Sequence, residues 1–383
     1  MKRLVPAMAA ASGLAAANVY YNQPMLADMA RTFHVGAREI GLVATFTQIG
    51  YAAGMPLFVP LGDFTERRRL VVSLFAAVAT ALVLAATARS LAWLVAASFL
   101  VGLTGVIAQV LIPLATELAP ASEQGRTVGT MFSGLLLGIL LARTVSGFVA
   151  SYWGWRTMFW LAAAISVMAG AALASVMPRL EPHAPTTYGE LMRLTWENVI
   201  QLPKLRQVSL VAGLFFAAFS VFWTTLVFRL ETPPYHYGSR AAGLFGLVGA
   251  VGALVAPVAG RVADRRSPRF VVAHAIGMVL AAFLLLGTLG AKLWGLVSGV
   301  IVLDAGVQAA QVANQSRVLR LRPESRNRVN TVYMICYFGG GSMGSLLGSW
   351  AWARWGWRGV TGMGMATMLA AAVVLVSRGP SAE

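Results

Sequence analysis

The chain repeats itself at an interval of about two hundred residues, so any fold it adopts has to accommodate two copies of one unit. Ala108-Gln109-Val110 returns as Ala310-Gln311-Val312, a shift of 202 positions (311 − 109 = 202). Trp153-Gly154-Trp155-Arg156 returns as Trp355-Gly356-Trp357-Arg358, and Arg126 as Arg328, both at the same shift. Asp63, followed by Arg67 and Arg68, is matched by Asp264, followed by Arg265 and Arg266. Three landmarks at one shift and a fourth at 201 (264 − 63 = 201), all in one order, imply a duplicated half.

Each half carries six apolar stretches long enough to cross a hydrocarbon core, which takes about 20 residues. They lie near 4–29, 40–61, 70–88, 91–118, 127–152 and 157–177, then 208–228, 241–263, 270–290, 293–319, 329–353 and 359–376. With 58% hydrophobic and 11% charged residues, the chain falls among polytopic membrane proteins. The expected fold is all-α and integral to the membrane, with twelve transmembrane helices in two pseudo-symmetric six-helix bundles. Residues 1–177 form the first bundle, 178–206 a cytoplasmic linker and 207–383 the second. Four prolines, Pro178, Pro182, Pro185 and Pro203, mark the linker, and apolar Leu191, Leu194 and Val199 near helical spacing fit either a short surface helix near 187–201 or an unstructured tether.

A net charge of +16 could point to nucleic acid, but the basic residues sit in short loops between the spans. With the N-terminus cytoplasmic, 20 of the 30 Lys and Arg residues fall on the inner side and 9 on the outer, leaving Arg143 within a span. Both termini are therefore expected in the cytoplasm of a bacterial cell whose inner membrane holds the chain. The partner is the lipid bilayer, not nucleic acid. Met1-Lys2-Arg3 and the alanine-rich run after it look like a signal peptide. Cleavage there would leave an odd number of spans, so this segment is read as the first span.

Catalysis finds little support. Cys336 stands alone within a span, which excludes a disulfide framework and marks it as a small packing residue. His34, His183, His236 and His274 are scattered without metal-ligand spacing. No phosphate-binding Gly-x-x-x-x-Gly-Lys-Ser/Thr run occurs, so ATP drive within this chain is not expected. No enzyme activity, metal or cofactor is expected.

The loop after the second span reads Val59-Pro60-Leu61-Gly62-Asp63-Phe64-Thr65-Glu66-Arg67-Arg68, and its counterpart reads Gly260-Arg261-Val262-Ala263-Asp264-Arg265. On these residues the chain resembles the major facilitator superfamily, whose signature here is Gly-x-Leu-Ala-Asp-Arg-x-Gly-Arg-Arg. The second copy follows the pattern through Arg265. The first departs at Val59, Phe64 and Glu66. The resemblance implies a cytoplasmic gating latch in which Asp63 and Asp264 cap a helix start, with Arg67, Arg68 and Arg265 as ionic partners.

A second element is similar to the drug:proton antiporter branch of that superfamily. Gly138-Ile139-Leu140-Leu141-Ala142-Arg143-Thr144-Val145-Ser146-Gly147 stands where those antiporters carry Gly-x-x-x-Gly-Pro-x-x-Gly-Gly. Arginine replaces the proline. The arginine that those antiporters place in the fourth span is also absent, because this chain reads Ser98-Phe99-Leu100-Val101-Gly102. An arginine near the middle of a span costs at least about 2.5–3.5 kcal/mol on insertion scales, so Arg143 is expected to serve function. Asp304 is the acidic residue deep in a span, and it shares a helix face with Gln308, Gln311 and Gln315. Arg143 and Asp304 are expected to pair across a wet cavity and to couple transport to protons.

Asn18, Tyr21 and Asn22 precede Pro24 in the first span, a combination that suggests an interrupted helix beside polar space. The resemblance assigns cavity lining to spans one, four, seven and ten. Here those spans carry Asn18, Tyr21, Asn22, Gln109, Trp223, Thr224, Gln308 and Gln311. Glycines concentrate in spans five, eight and eleven, where small residues let helices approach closely, and these helices are expected to meet across the two halves or to slide during gating, with ordinary tight packing as the alternative. The expected function is secondary transport of a small organic solute by alternating access, as proton-coupled efflux by a monomer. Uptake or uniport of a metabolite is the alternative, and a non-transporting membrane sensor a further one. The sequence does not name the solute.

Overall fold

In the computed structural model, residues 4–179, 188–322 and 326–377 are described, and nearly all are helical. Lys2, Arg3, Arg378 and residues 180–187 of the linker lie outside them, as do the side chains of Asp63, Asp264 and Arg326. The helices are α1 (Leu4–Tyr20), α2 (Leu26–Phe33), α3 (Ala37–Phe58), α4 (Leu61–Phe64), α5 (Arg67–Ala86), α6 (Leu91–Thr104), α7 (Ile107–Leu118), α8 (Gln124–Trp153) and α9 (Trp155–Val176). After the linker follow α10 (Tyr188–Gln201), α11 (Pro203–Glu231), α12 (Ser239–Ala253), α13 (Ala256–Arg265), α14 (Pro268–Leu289), α15 (Leu293–Leu321) and α16 (Arg326–Val376).

Among the described residues, 10 helices are long and apolar enough to cross a membrane. That number becomes twelve spans for two local reasons. The helix over residues 328–376 holds two spans, separated where Gly356 adopts φ 59°, ψ −145°, a conformation that glycine tolerates. The eighth span is divided into α12 and α13, with proline at the start of α13 where an amide donor is not needed. Span one is interrupted as well. A 3₁₀ turn at Gln23–Met25, with proline in its first positions, separates α1 from α2. The fourth span, read as continuous over 91–118, breaks at Gly105 and Val106 between α6 and α7.

The chain divides into two compact units, one of Met1–His34, Phe46–Met192 and Ser239–Gly243, the other of Val35–Thr45, Arg193–Gly238 and Leu244–Glu383. Within the first, Gly138 of α8 lies against Gly13 of α1, and Gly134 against Ala9. Within the second, Gly340, Gly344 and Gly348 of α16 lie against Gly213, Ala217 and Val221 of α11. Gly138 and Gly340 are 202 apart, so the duplicated sequence builds the same backbone crossing in each unit. The stripes of spans five and eleven thus close helix pairs inside each unit. By contrast, Gly129 and Gly339 on the same helices face open space.

Helix α8 shows two faces. Leu137, Leu141 and Val145 are exposed at four-residue spacing, while Ala142, Arg143, Ser146 and Gly147 are buried. The exposed stripe suits lipid. Cys336, expected to pack, turns its side chain outward, and its carbonyl lies against Gly213 instead.

Candidate functional site

The break in the first span gathers polar side chains around Arg143. Because α1 ends at Tyr20 and the chain turns through Gln23–Met25, Gln23 faces α8. Arg143 Nε donates to Gln23 Oε1 at 2.8 Å, and its guanidinium lies 4.9 Å from the centre of the Tyr20 ring. Arg143 is 2% exposed. Both of these contacts, an amide oxygen and a ring face, are made with uncharged groups. Gln23 and Tyr20 are partners that sequence reasoning does not assign. Their proximity to Pro24 is the available signal.

The other expected lining residues of this unit make interhelical bonds. Asn18 Nδ2 donates to Ser166 Oγ at 3.4 Å, Asn22 Nδ2 to Thr47 Oγ1 at 3.0 Å, and Gln109 Nε2 to the Tyr51 hydroxyl at 3.3 Å. Tyr21 is buried.

In the second unit the focus is Asp304, 5% exposed on α15. Trp223 Nε1 donates to Asp304 Oδ1 at 3.2 Å. Asp304 also lies against the glycine face of α12. A methyl on Gly252 would sit 2.7 Å from Asp304 Cβ, and one on Gly249 would meet the carboxylate itself. Glycine at these two positions gives the carboxylate its room. Thr224 Oγ1 and Ser345 Oγ are 2.9 Å apart, and the Tyr337 hydroxyl donates to Gln311 Oε1 at 2.7 Å. Gln308 is half-buried. Arg143 and Asp304 belong to different compact units, and each has partners in its own unit.

The loops with the repeated Asp and Arg tie helix ends together. Arg67 Nε donates to the Gly62 carbonyl at 2.8 Å, and Arg67 pairs with Glu117 in the last turn of α7. Arg68 Nη1 donates to the Met177 carbonyl beyond α9 at 3.4 Å. At the matching place in the second unit, Arg269 Nη2 donates to the Leu375 carbonyl at 3.0 Å. Guanidinium groups on C-terminal carbonyls are favoured by the helix macrodipole. Glu66 holds the N-cap position of α5 without a side-chain cap bond, and Ser267 that of α14, where its Oγ accepts from the Phe270 amide. Asp63 sits one turn earlier in α4, and Asp264 in the last turn of α13. Arg265 is exposed.

Residues 8–345 match the family described as Major Facilitator Superfamily. The chain is 40% identical over 357 residues to the uncharacterized transporter YgaY of Escherichia coli O157:H7, covering 93% of this chain and 91% of that one. It is 26% identical over 340 residues to the chloramphenicol efflux pump MT0201 of Mycobacterium tuberculosis, covering 86% and 81%. Among solved structures, a point mutant of the nucleoside transporter NupG superposes with a TM-score of 0.80 at 13% identity, covering 98% of each chain. At that identity the likeness concerns the fold.

Proposed function

Because the chain belongs to the Major Facilitator Superfamily and is thereby a multi-pass membrane transporter, we propose that it is a proton-coupled exporter of a small organic solute. The solute moves by alternating access, with both termini in the cytoplasm. Asp304 is the group that gains and loses the coupling proton. Arg143 provides the opposing fixed charge, and the pairing of the two is broken and remade during the cycle. Asn18, Tyr21, Asn22, Gln109, Trp223, Thr224, Gln308 and Gln311 supply solute contacts. Asp63, Arg67, Arg68, Asp264 and Arg265 serve the gate. The protein acts as a monomer.

The observation that carries this reading is the buried Asp304 carboxylate on the Trp223 N–H, facing the glycines of α12. A carboxylate kept in an apolar span against its desolvation cost calls for a role beyond packing. Outward direction draws support from the similarity to MT0201 and from the fifth-span element around Arg143. Two departures favour uptake or uniport as the second reading: arginine occupies the place of the element's proline, and the fourth-span arginine is absent at Ser98-Phe99-Leu100-Val101-Gly102.

The test is transport by purified protein in proteoliposomes. Counterflow of a labelled solute establishes transport, and an imposed pH gradient establishes coupling. With Asp304→Asn, counterflow is expected to persist while gradient-driven accumulation disappears. Unaltered pH dependence in that variant would refute the role given to Asp304.

A further inference from the structure

Four side chains of the second unit are fully enclosed, with polar atoms that find no hydrogen-bond partner among the described residues: Asn314 on α15, at both Oδ1 and Nδ2, Tyr333 on α16, at its hydroxyl, Ser209 on α11, at Oγ, and, far along α16 from these three, Ser349 at Oγ. Leaving a buried amide or hydroxyl unpaired is costly, because its hydrogen bonds to water are lost and nothing replaces them. Such groups call for an explanation when they occur singly. Here Asn314, Tyr333 and Ser209 occur together.

Register places them at one depth. The Tyr337 hydroxyl donates to Gln311 at 2.7 Å, and Gln315 Nε2 donates to Asn330 Oδ1 at 3.4 Å. Asn314 falls between Gln311 and Gln315 on α15, and Tyr333 between Asn330 and Tyr337 on α16. Helix α11 runs alongside α16 with a constant offset of 127, seen in Gly213 with Gly340, Ala217 with Gly344 and Val221 with Gly348. That offset sets Ser209 level with Cys336, within one turn of Tyr333.

An aromatic ladder starts at the same level. Tyr333 stacks on Tyr337 with centroids 6.1 Å apart, and Tyr337 on Phe216 at 4.2 Å. Phe216 continues to Phe219 at 5.5 Å, and Phe219 to Trp223 at 5.9 Å. Trp223 holds Asp304. The enclosed polar cluster and the proposed coupling carboxylate are therefore joined by one aromatic path.

We propose that Asn314, Tyr333 and Ser209 form a binding subsite for the transported solute, and that this solute is a neutral ring compound bearing several hydroxyl groups. The proposal rests on the transport reading above and adds the substrate class. An amide, a phenol and an alcohol carry no formal charge, and between them they both donate and accept, as the hydroxyls of such a solute do. Its C–H faces pack against the aromatic ladder. Arg317, one turn further along α15, carries a formal charge and makes interactions of its own. All three side chains are closed to solvent in this conformation, so the solute reaches them when α15 and α16 part.

The test uses the purified full-length protein, with thermal stabilisation as the binding readout. Methyl β-glucoside and uridine serve as neutral hydroxylated rings, tetraphenylphosphonium as a cation and benzoate as an anion. A neutral ring is expected to raise the melting temperature. Asn314→Leu and Tyr333→Phe should weaken that binding at least tenfold while the melting temperature without ligand stays level or rises. Tyr333→Phe keeps the ring, so it serves if the other variant fails to fold. Several results would overturn the proposal: stabilisation by the cation or the anion alone, no stabilisation by either neutral ring, or equal stabilisation of wild type and both variants. A higher melting temperature of the variants with ligand binding unchanged would mark the cluster as a site for water only and would also overturn it. Transport separates the two readings. A neutral ring that binds through these residues but is never moved upholds the subsite and refutes transport of this solute. An amphiphilic cation moved at full rate by Asn314→Leu refutes the subsite and leaves transport standing.

Discussion

Gly138→Ala and Gly340→Ala should destabilise the protein by similar amounts, although they lie in different units. A methyl carbon on Gly138 would stand 2.5 Å from Gly13 Cα, and one on Gly340 would stand 2.6 Å from Gly213 Cα. Ordinary contacts fall at 3.4–4 Å, and the obstructing atoms are backbone, which no rotamer change can move. The paired helices must part by roughly 1 Å, which forfeits dispersion contacts along the crossing. Overpacking of this kind costs about 1–3 kcal/mol. Against it stands the gain of about 0.5–1 kcal/mol from replacing a helical glycine by alanine. Gly129→Ala and Gly339→Ala, on the same two helices with nothing within 4 Å of the added methyl, receive the gain alone. Each crossing variant should therefore fall below its control by about 1–3 kcal/mol. Unfolding in detergent, compared at one scan rate because unfolding of such proteins is often irreversible, measures the difference. If Gly138→Ala proved as stable as Gly129→Ala, the close α1–α8 crossing would be wrong.

Trp223→Phe keeps the ring and removes the donor to Asp304. A hydrogen bond to a charged group is worth about 1.5–3 kcal/mol, so gradient-driven transport in proteoliposomes should slow roughly 10- to 100-fold. Arg143→Met, similar in length but uncharged, should abolish coupled transport, while Gln23→Ala should only slow it, since the charge remains; equal rates in the two variants would contradict the role of Arg143. The Tyr235 phenol, outside the spans, donates to the Gly290 carbonyl at 3.1 Å, and burial raises its pKa above the ordinary tyrosine value. The folded state then holds that proton longer than the unfolded chain, so its contribution is complete below the unfolded pKa of about 10 and is lost as pH rises through the folded value. Tyr235→Phe should flatten the alkaline end of a melting-temperature profile. Ser267→Ala removes the N-cap of α14 and should cost about 1 kcal/mol in the same unfolding assay.

Much of the fold was legible in the sequence because its signals are local. Hydropathy over some twenty residues locates a span, whatever packs against it. Pro24 announces the break between α1 and α2, since a missing amide and a fixed φ act on the residue's own backbone. The break at Gly105 was not legible, because a glycine within an apolar run fits a continuous helix equally well. Arg143 and Asp304 stood out through composition alone, as charges where hydrocarbon excludes them. Their neighbours did not. Gln23 lies 120 residues from Arg143, and Trp223 lies 81 from Asp304, and no periodicity within one helix specifies which residue of another will face it.

By itself, the sequence determined the duplication, the spans, the surface charge bias and the identity of the buried charges, because each follows from covalent order and the cost of transfer from water to lipid. Only the tertiary structure decided that Gly138 and Gly340 form backbone crossings while Gly129 and Gly339 do not. It also decided that Trp223 holds Asp304, and that Asn314, Tyr333 and Ser209 share one enclosed level. Those outcomes depend on how helices distant in sequence rotate and shift against each other, and side-chain packing between them sets both.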